Sequence, residues 1–316
     1  MALNRFVVLG RVGMDLYADP PGTRIEQAQH YFAAIGGSAG NIAVGLARQG
    51  AAAALLTHVS DDAVGRYCRA ELQRYGVDTG HVTLEGGQAR TSLAVVETIA
   101  TDPHSVLYRN GAADFALTEA DVARVDFTGV AALVVTGTAL ACEPSRGAAL
   151  RAMVAARNSG ALVVLDVDYR AYSWTSTTEA ATVCLAAARQ VDCVVGNDDE
   201  FGLLAGNPDL GKALAKSLAQ NGAAFCVYKQ GAAGATTFTP DFSFETGIFK
   251  VTALKPMGAG DGFMAGLLAG LGRGHTLESA VRRGAATAAM IVAGIGCAPA
   301  SPDTASLDRF MATQHP

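Results

Sequence analysis

Clustered positive charge is missing from this chain. Its 24 Lys and Arg are outnumbered by 29 Asp and Glu, for a formal net charge of −5, and no basic run occurs. That excludes the electrostatic footprint of a nucleic-acid surface, which needs cations gathered on one face. Long apolar runs are missing as well. Ala131–Val135 and Ala161–Leu165 are strand-sized, far short of the ~20 residues a membrane helix requires. The six cysteines (Cys68, Cys142, Cys184, Cys193, Cys226, Cys297) include no Cys-x-x-Cys pair, and the six histidines show no ligand spacing. Neither a disulfide scaffold nor a protein-built zinc site is expected. The thiols read as reduced, mostly core residues. Met1–Arg5 enters a strand without a signal-peptide pattern, so a cytoplasmic protein is the expectation.

What is present points to a large core. Half of the 316 residues are hydrophobic and 17% are charged, which suits one large α/β domain. Strands are expected over Arg5–Leu9, Ala52–Val59, Ala131–Val135, Ala161–Asp166, Asp192–Val195 and Ala223–Tyr228, with shorter ones over Gly234–Phe238 and Phe242–Val251. Helices are expected over Asn41–Gly50, Asp62–Tyr75, Pro144–Asn158, Thr178–Arg189, Leu210–Gln220 and Thr276–Ala293. Strand–helix alternation at this spacing predicts a doubly wound, mostly parallel sheet covered on both faces. Two stretches stand outside it. Residues 11–35 mix polar, proline and aromatic residues, and Thr91–Ile99 pairs with Ser105–Arg109 across the turn Thr101–His104. Together, roughly 11–35 and 90–112, they predict a small β lid.

Ligands of such sheets bind beyond the carboxyl ends of the strands. Those ends carry Gly10, Gly137, Asp166, Asp168, Asn197, Lys229 and Gly231, a polar and glycine-rich set. Into the same region runs Gly258-Ala259-Gly260-Asp261, followed by the apolar segment Gly262–Ala269. A helix starting inside Gly258–Asp261 would aim free N–H groups, and the positive end of its dipole, at an anion. Asp261 could then take a proton from an attacking hydroxyl, or it could simply cap the helix. Gly206–Ala213 nearly matches a P-loop, but Ala213 lacks the hydroxyl that motif places on Mg²⁺ and no strand precedes it.

Gly258–Asp261, taken in order with Gly36-Gly37-Ser38-Ala39-Gly40-Asn41, resembles the paired signatures of the ribokinase-like (phosphofructokinase-B-type) sugar kinases. The resemblance spans nearly the whole chain. It implies ATP and Mg²⁺ as cofactors, with a monovalent cation as a further option, and a small sugar or sugar acid as substrate. It implies neither a nucleic-acid nor a membrane partner, and a homodimer is a further option. By the same resemblance Asp261 is the base, and Gly258, Ala259 and Gly260 are the anion hole. Asp15, Gly36, Gly37 and Asn41 hold the sugar. Asp168, Asn197, Lys229, Gly231 and Gly234 belong to the nucleotide side, and Glu200 reaches the metal through water. Tyr108, Arg109 and Arg170 resemble the subgroup acting on keto-acid sugars, whose carboxylate a guanidinium can grip, with a structural ion pair as the alternative for either arginine. Local strings such as Gly10–Tyr17 and Tyr108–Asp114 resemble the branch acting on 5-dehydro-2-deoxygluconate in myo-inositol catabolism. 2-Keto-3-deoxygluconate, or a neutral sugar or nucleoside, is the alternative substrate, and a non-catalytic sugar-binding regulator is the alternative class. Two positions depart from that branch: Ser38–Gly40 replaces a Cys-Pro-Thr type tripeptide, and Gly262 stands where Ala is usual.

Overall fold

The computed structural model describes residues 4–99, 104–254 and 257–314. Expectations for Thr101–Pro103, Lys255 and Pro256 lie outside those residues. The strands are β1 (Arg5–Leu9), β2 (Gly13–Asp19), β3 (His30–Gly36), β4 (Ala52–Ser60), β5 (Val82–Glu85), β6 (Ser92–Val96), β7 (Ser105–Tyr108), β8 (Ala132–Thr136), β9 (Leu162–Asp166), β10 (Cys193–Asn197), β11 (Phe225–Lys229), β12 (Ala235–Phe238) and β13 (Ser243–Thr246). The helices are α1 (Ser38–Arg48), α2 (Ala63–Arg74), α3 (Glu119–Val122), α4 (Ser145–Asn158), α5 (Thr177–Ala188), α6 (Asp198–Ala205), α7 (Gly211–Gln220), α8 (Ala259–Gly272), α9 (Leu277–Val292), α10 (Cys297–Ala300) and α11 (Thr304–Thr313).

Nine strands form the main sheet in the order β13-β12-β11-β10-β9-β8-β1-β4-β5. It is parallel from β11 to β5, and only the β12–β13 edge runs antiparallel. Because side chains alternate along each strand, the apolar runs feed two cores. Val7, Leu9, Leu133, Val135, Val163 and Leu165 pack on one face with α4 and α5. Phe6, Val8, Val134, Val164 and Val195 pack on the other with α1 and α8. This is the doubly wound architecture the alternation predicts. No helix among the described residues is long and apolar enough to cross a membrane.

The lid is a separate four-stranded sheet, ordered β3-β2-β6-β7. Its strands come from the two stretches set apart by composition. Tyr17, Ala34 and Val96 bury one lid face against Met257 and Ile295, at the entrance to α8. The lid is thereby seated against the start of that helix.

Two differences from expectation have local causes. β5 and α11 are unforeseen; four residues pairing only with β4 are too few to display a period. The strand expected over Phe242–Val251 stops at Thr246, where the pairing with β12 ends. The P-loop look-alike is an ordinary connector: Gly206 is the left-handed C-cap of α6, and Gly211 opens α7.

Candidate active site

The site begins with how α8 starts. Gly258, at φ 82°, is its left-handed N-cap, and no side chain caps the helix. A Cβ at Gly258 would stand 2.3 Å from Cys297 Sγ, so glycine is demanded by both conformation and space. The capping alternative for Asp261 fails. Its carboxylate lies buried in the first turn and accepts a hydrogen bond from Asn41 Nδ2 at 2.8 Å. Asn41 belongs to α1, whose own N-cap is Gly37 at φ 86°. The two helices approach closely because Gly45 faces Ala265, where a Cβ would come within 2.5 Å. Gly262, the departure noted above, meets Ile291 in the same way at 2.4 Å. Alanine there would need the end of the Ile291 side chain to turn aside.

Charge converges on this helix end. Lys229 closes β11, and its Nζ lies 3.3 Å from where a Cβ of Gly260 would sit. Asp168, held at φ 37°, accepts from Thr138 Oγ1 at 3.1 Å and pairs with Arg170 at 3.0 Å. Burial, and after it the neighbouring Asp168, push the Asp261 carboxyl up to about 6, against the pull of Asn41, Arg170 and Lys229. Burial likewise raises Asp166 well above the carboxylate range. Acids therefore outnumber cations in the cleft, and each disfavours ionisation of the next.

That surplus suits a divalent cation. No cluster of His, Cys, Asp and Glu among the described residues forms a ready cage. Mg²⁺ does not require one, since it keeps several waters and shares phosphate oxygens. The donor set fits Mg²⁺ carried in with a nucleotide.

The residues expected on the nucleotide side divide by their contacts. Asn197 and Glu200 make a reciprocal capping box on α6, with Asn197 Oδ1 accepting from Glu200 N at 2.8 Å and Glu200 Oε2 from Asn197 N at 2.7 Å. Glu200 Oε1 also accepts from Tyr169 N at 3.2 Å, so this carboxylate clamps the loop carrying Asp168 to α6. Gly231, at φ 54°, has open space at its Cβ position, so conformation rather than packing favours glycine there. Gly234 is structural: a Cβ would stand 2.2 Å from the Thr246 carbonyl.

On the lid side, Asp15 leans over Gly36, where a Cβ would come within 1.9 Å of Oδ1. Tyr17, fully buried two residues along the same face, donates to Asp15 Oδ2 at 3.1 Å. Tyr108 is 59% exposed on the edge strand β7. Arg109, expected to grip a substrate carboxylate, is already engaged. Its guanidinium pairs with Asp114 at 2.5 Å, donates to Ser173 Oγ and stacks over Phe115. The structural ion pair accounts for it. Arg170 differs, being bound only along one edge and partly open. Tyr17, Thr138 and Cys297 escaped the sequence reading. For Tyr17 a signal existed: it lies two residues from Asp15, on the same face of a strand.

A pH dependence follows. If Asp261 takes a proton from an acceptor hydroxyl, as expected above, it does so only when ionised, so kcat/KM should fall about tenfold per pH unit below about 6. Its folded pKa lies above the usual carboxylate value, so its ionised form destabilises the fold at higher pH. That penalty begins to fade as pH falls through about 6 and is gone only below the ordinary carboxylate value of about 4. Asp261→Asn should accordingly be no less stable than the parent above pH 6 in thermal melts. A kcat/KM profile flat down to pH 5 would remove Asp261 from the proton transfer.

Known proteins arrange themselves around this geometry. The model of the pfkB family of carbohydrate kinases matches residues 3–304. A 5-dehydro-2-deoxygluconokinase of Photobacterium profundum is 37% identical over 314 residues, covering 98% of this chain and 95% of that protein. One of Geobacillus kaustophilus is 32% identical over 311 residues, covering 97% and 93%. Among solved structures, fructokinase from Vibrio cholerae O395, bound to fructose, ADP and calcium ion, superposes with a TM-score of 0.86 at 26% identity, covering 98% of this chain and 99% of its own. A PfkB protein from Polaromonas sp. JS666 gives 0.82 at 27% identity, covering 96% and 99%. With a family model matched over almost its whole length and relatives 37% and 32% identical across nearly all of it, this chain belongs to the pfkB family of carbohydrate kinases.

Proposed function

We propose that this ATP-dependent carbohydrate kinase phosphorylates a hydroxyl of a sugar acid, with 5-dehydro-2-deoxygluconate as substrate and myo-inositol catabolism as its setting. One observation carries the chemistry: buried Asp261 lies in the first turn of a helix that no side chain caps, fixed by Asn41 from the Gly36-Gly37 turn. The relatives' shared name supports the substrate.

In this reading Asp15, Gly36, Gly37 and Asn41 hold the sugar so that its acceptor hydroxyl faces Asp261. Asp261 takes the hydroxyl proton as the oxygen attacks the terminal phosphorus of ATP, and the bond from that phosphorus to the bridging oxygen breaks, releasing ADP. The α8 N–H groups of Gly258–Gly260 and the Lys229 ammonium receive the charge on the transferring phosphoryl group. Arg170, tied to Asp168 and partly open, would meet the phosphates in this reading. Mg²⁺ would neutralise ATP phosphate charge, with Asn197 and Glu200 reached only through water. Asp168, Gly231 and Gly234 shape the nucleotide side. The lid excludes water that would otherwise hydrolyse ATP. Such an enzyme would work in the cytoplasm, where ATP is supplied.

ADP release measured across a panel of sugar acids and neutral sugars tests the proposal. Turnover should be highest with 5-dehydro-2-deoxygluconate and should stop when divalent metal is chelated. Preference for 2-keto-3-deoxygluconate would move the substrate within the sugar acids. Preference for a neutral sugar would end the acid reading, and no turnover with any acceptor would favour a regulator.

A further inference from the structure

One cation near the cleft has no role so far. Arg11 follows Gly10 at the carboxyl end of β1 and is only 8% exposed. A buried guanidinium is costly unless a carboxylate or several acceptors satisfy it. Arg11 has one partner, donating from Nη1 to the neutral Ser92 Oγ at 3.0 Å, and pairs with no carboxylate among the described residues. Its Nε is buried without a partner. Its Nη2 makes no hydrogen bond and is not sealed from solvent.

Position gives this unpaired charge its meaning. β2 pairs Gly13 with both Gly36 and Ser92. A Cβ at Gly13 would lie 3.2 Å from Arg11 Nη1, so the guanidinium occupies the space that glycine leaves empty. Gly13, Asp15 and Tyr17 alternate onto one face of the strand, the face Tyr17 turns toward the α8 entrance. Asp15 meanwhile leans onto Gly36, the register partner of Gly13. Arg11 and Asp15 therefore present opposite charges over a patch of bare glycine backbone in the sugar pocket. Arg109 also buries an unpartnered Nε, but its charge is already paired with Asp114 and its other terminal nitrogen donates to Ser173, so it lacks the missing counter-charge that sets Arg11 apart.

We propose that Arg11 is the specificity-determining residue that receives the substrate's carboxylate, while Asp15 takes its hydroxyls. This rests on the sugar-acid reading above. An anion arriving at Nη2 supplies the counter-charge that the fold withholds, and a neutral sugar leaves the cation buried and unpaired. Discrimination thus comes partly from a penalty on the wrong ligand.

The test compares 5-dehydro-2-deoxygluconate with its neutral carboxamide on the parent, Arg11→Met, Arg11→Lys and Ser92→Ala, with thermal melts of each. The parent should favour the acid. Arg11→Met should raise KM for the acid ~10–100-fold, the worth of a charge-assisted hydrogen bond, lower KM for the amide or leave it no higher, since the unpaired cation is gone, and alter kcat little. Arg11→Lys should recover part of the loss, and Ser92→Ala, which keeps the cation, should retain acid preference. Should Arg11→Met fail to fold, Arg11→Lys decides, with a smaller acid-only rise expected. Equal changes for acid and amide would make Arg11 a strut of the lid and overturn the assignment. Acid preference surviving in Arg11→Met would overturn it too, leaving the sugar-acid reading intact. A parent that does not prefer the acid would overturn both.

Discussion

Asp261→Asn should bind ATP and sugar much as the parent does and lose ~10²–10⁴ in turnover, the usual cost of removing a general base. The amide keeps the shape of the side chain and its place beside Asn41 Nδ2, but it cannot accept a proton from the acceptor hydroxyl. KM for both substrates should therefore stay within a few-fold while kcat collapses. The pattern is diagnostic, because a disturbed binding site would raise KM first. The stability readout separates damage from chemistry. Ionised Asp261 is held in a buried, acid-rich setting, so the neutral amide removes a repulsion with Asp168. A variant that is inactive and still melts no lower than the parent above pH 6 is the expected result. Near-parental kcat would transfer the base role to another group.

Gly258→Ala should be nearly as damaging, by a different route. The φ of 82° costs an L-residue with a side chain roughly 1–2 kcal/mol. The new methyl would also press on Cys297 at 2.3 Å from Sγ and 2.9 Å from Cβ. Relief requires Cys297 or the entrance of α8 to shift, and a shifted entrance misaims the N–H groups at the phosphoryl oxygens. Loss of one such donor elsewhere costs ~10²–10³ in rate, so a loss of that order is expected, with a lower melting temperature. Cys297→Ala in the same chain should restore stability more than rate. It frees the space and leaves the backbone strain. Full activity in Gly258→Ala alone would show that the α8 entrance does not take part in transfer.

The parts legible in the sequence were those with a period or a backbone requirement. Apolar runs closed by polar or glycine ends marked the parallel strands, and the composition of residues 11–35 set the lid apart. Glycine before Asp261 marked a helix entrance that the structure places at Ala259. Pairing between distant side chains was not legible. Nothing local shows that Asn41 reaches Asp261 across 220 positions, or that Gly45 opposite Ala265 lets it do so. Which of the two readings of Arg109 holds was illegible for the same reason. Its guanidinium looked available until the chain folded Asp114 and Ser173 onto it. Arg11 shows the converse, an unremarkable residue after a strand-closing glycine that becomes informative once it is seen buried without an acid. Burial of a charge is a tertiary property, and no pattern of neighbours reveals it.

The most direct measurement is a single-turnover experiment with ATP radiolabelled in its terminal phosphate and 5-dehydro-2-deoxygluconate in excess, run in parallel on the parent and Asp261→Asn. The label should move to the sugar acid in the parent and remain in ATP in the variant, with both proteins binding both ligands. Label appearing as free phosphate in the parent, or reaching the sugar equally fast in Asp261→Asn, would contradict a kinase that works through Asp261.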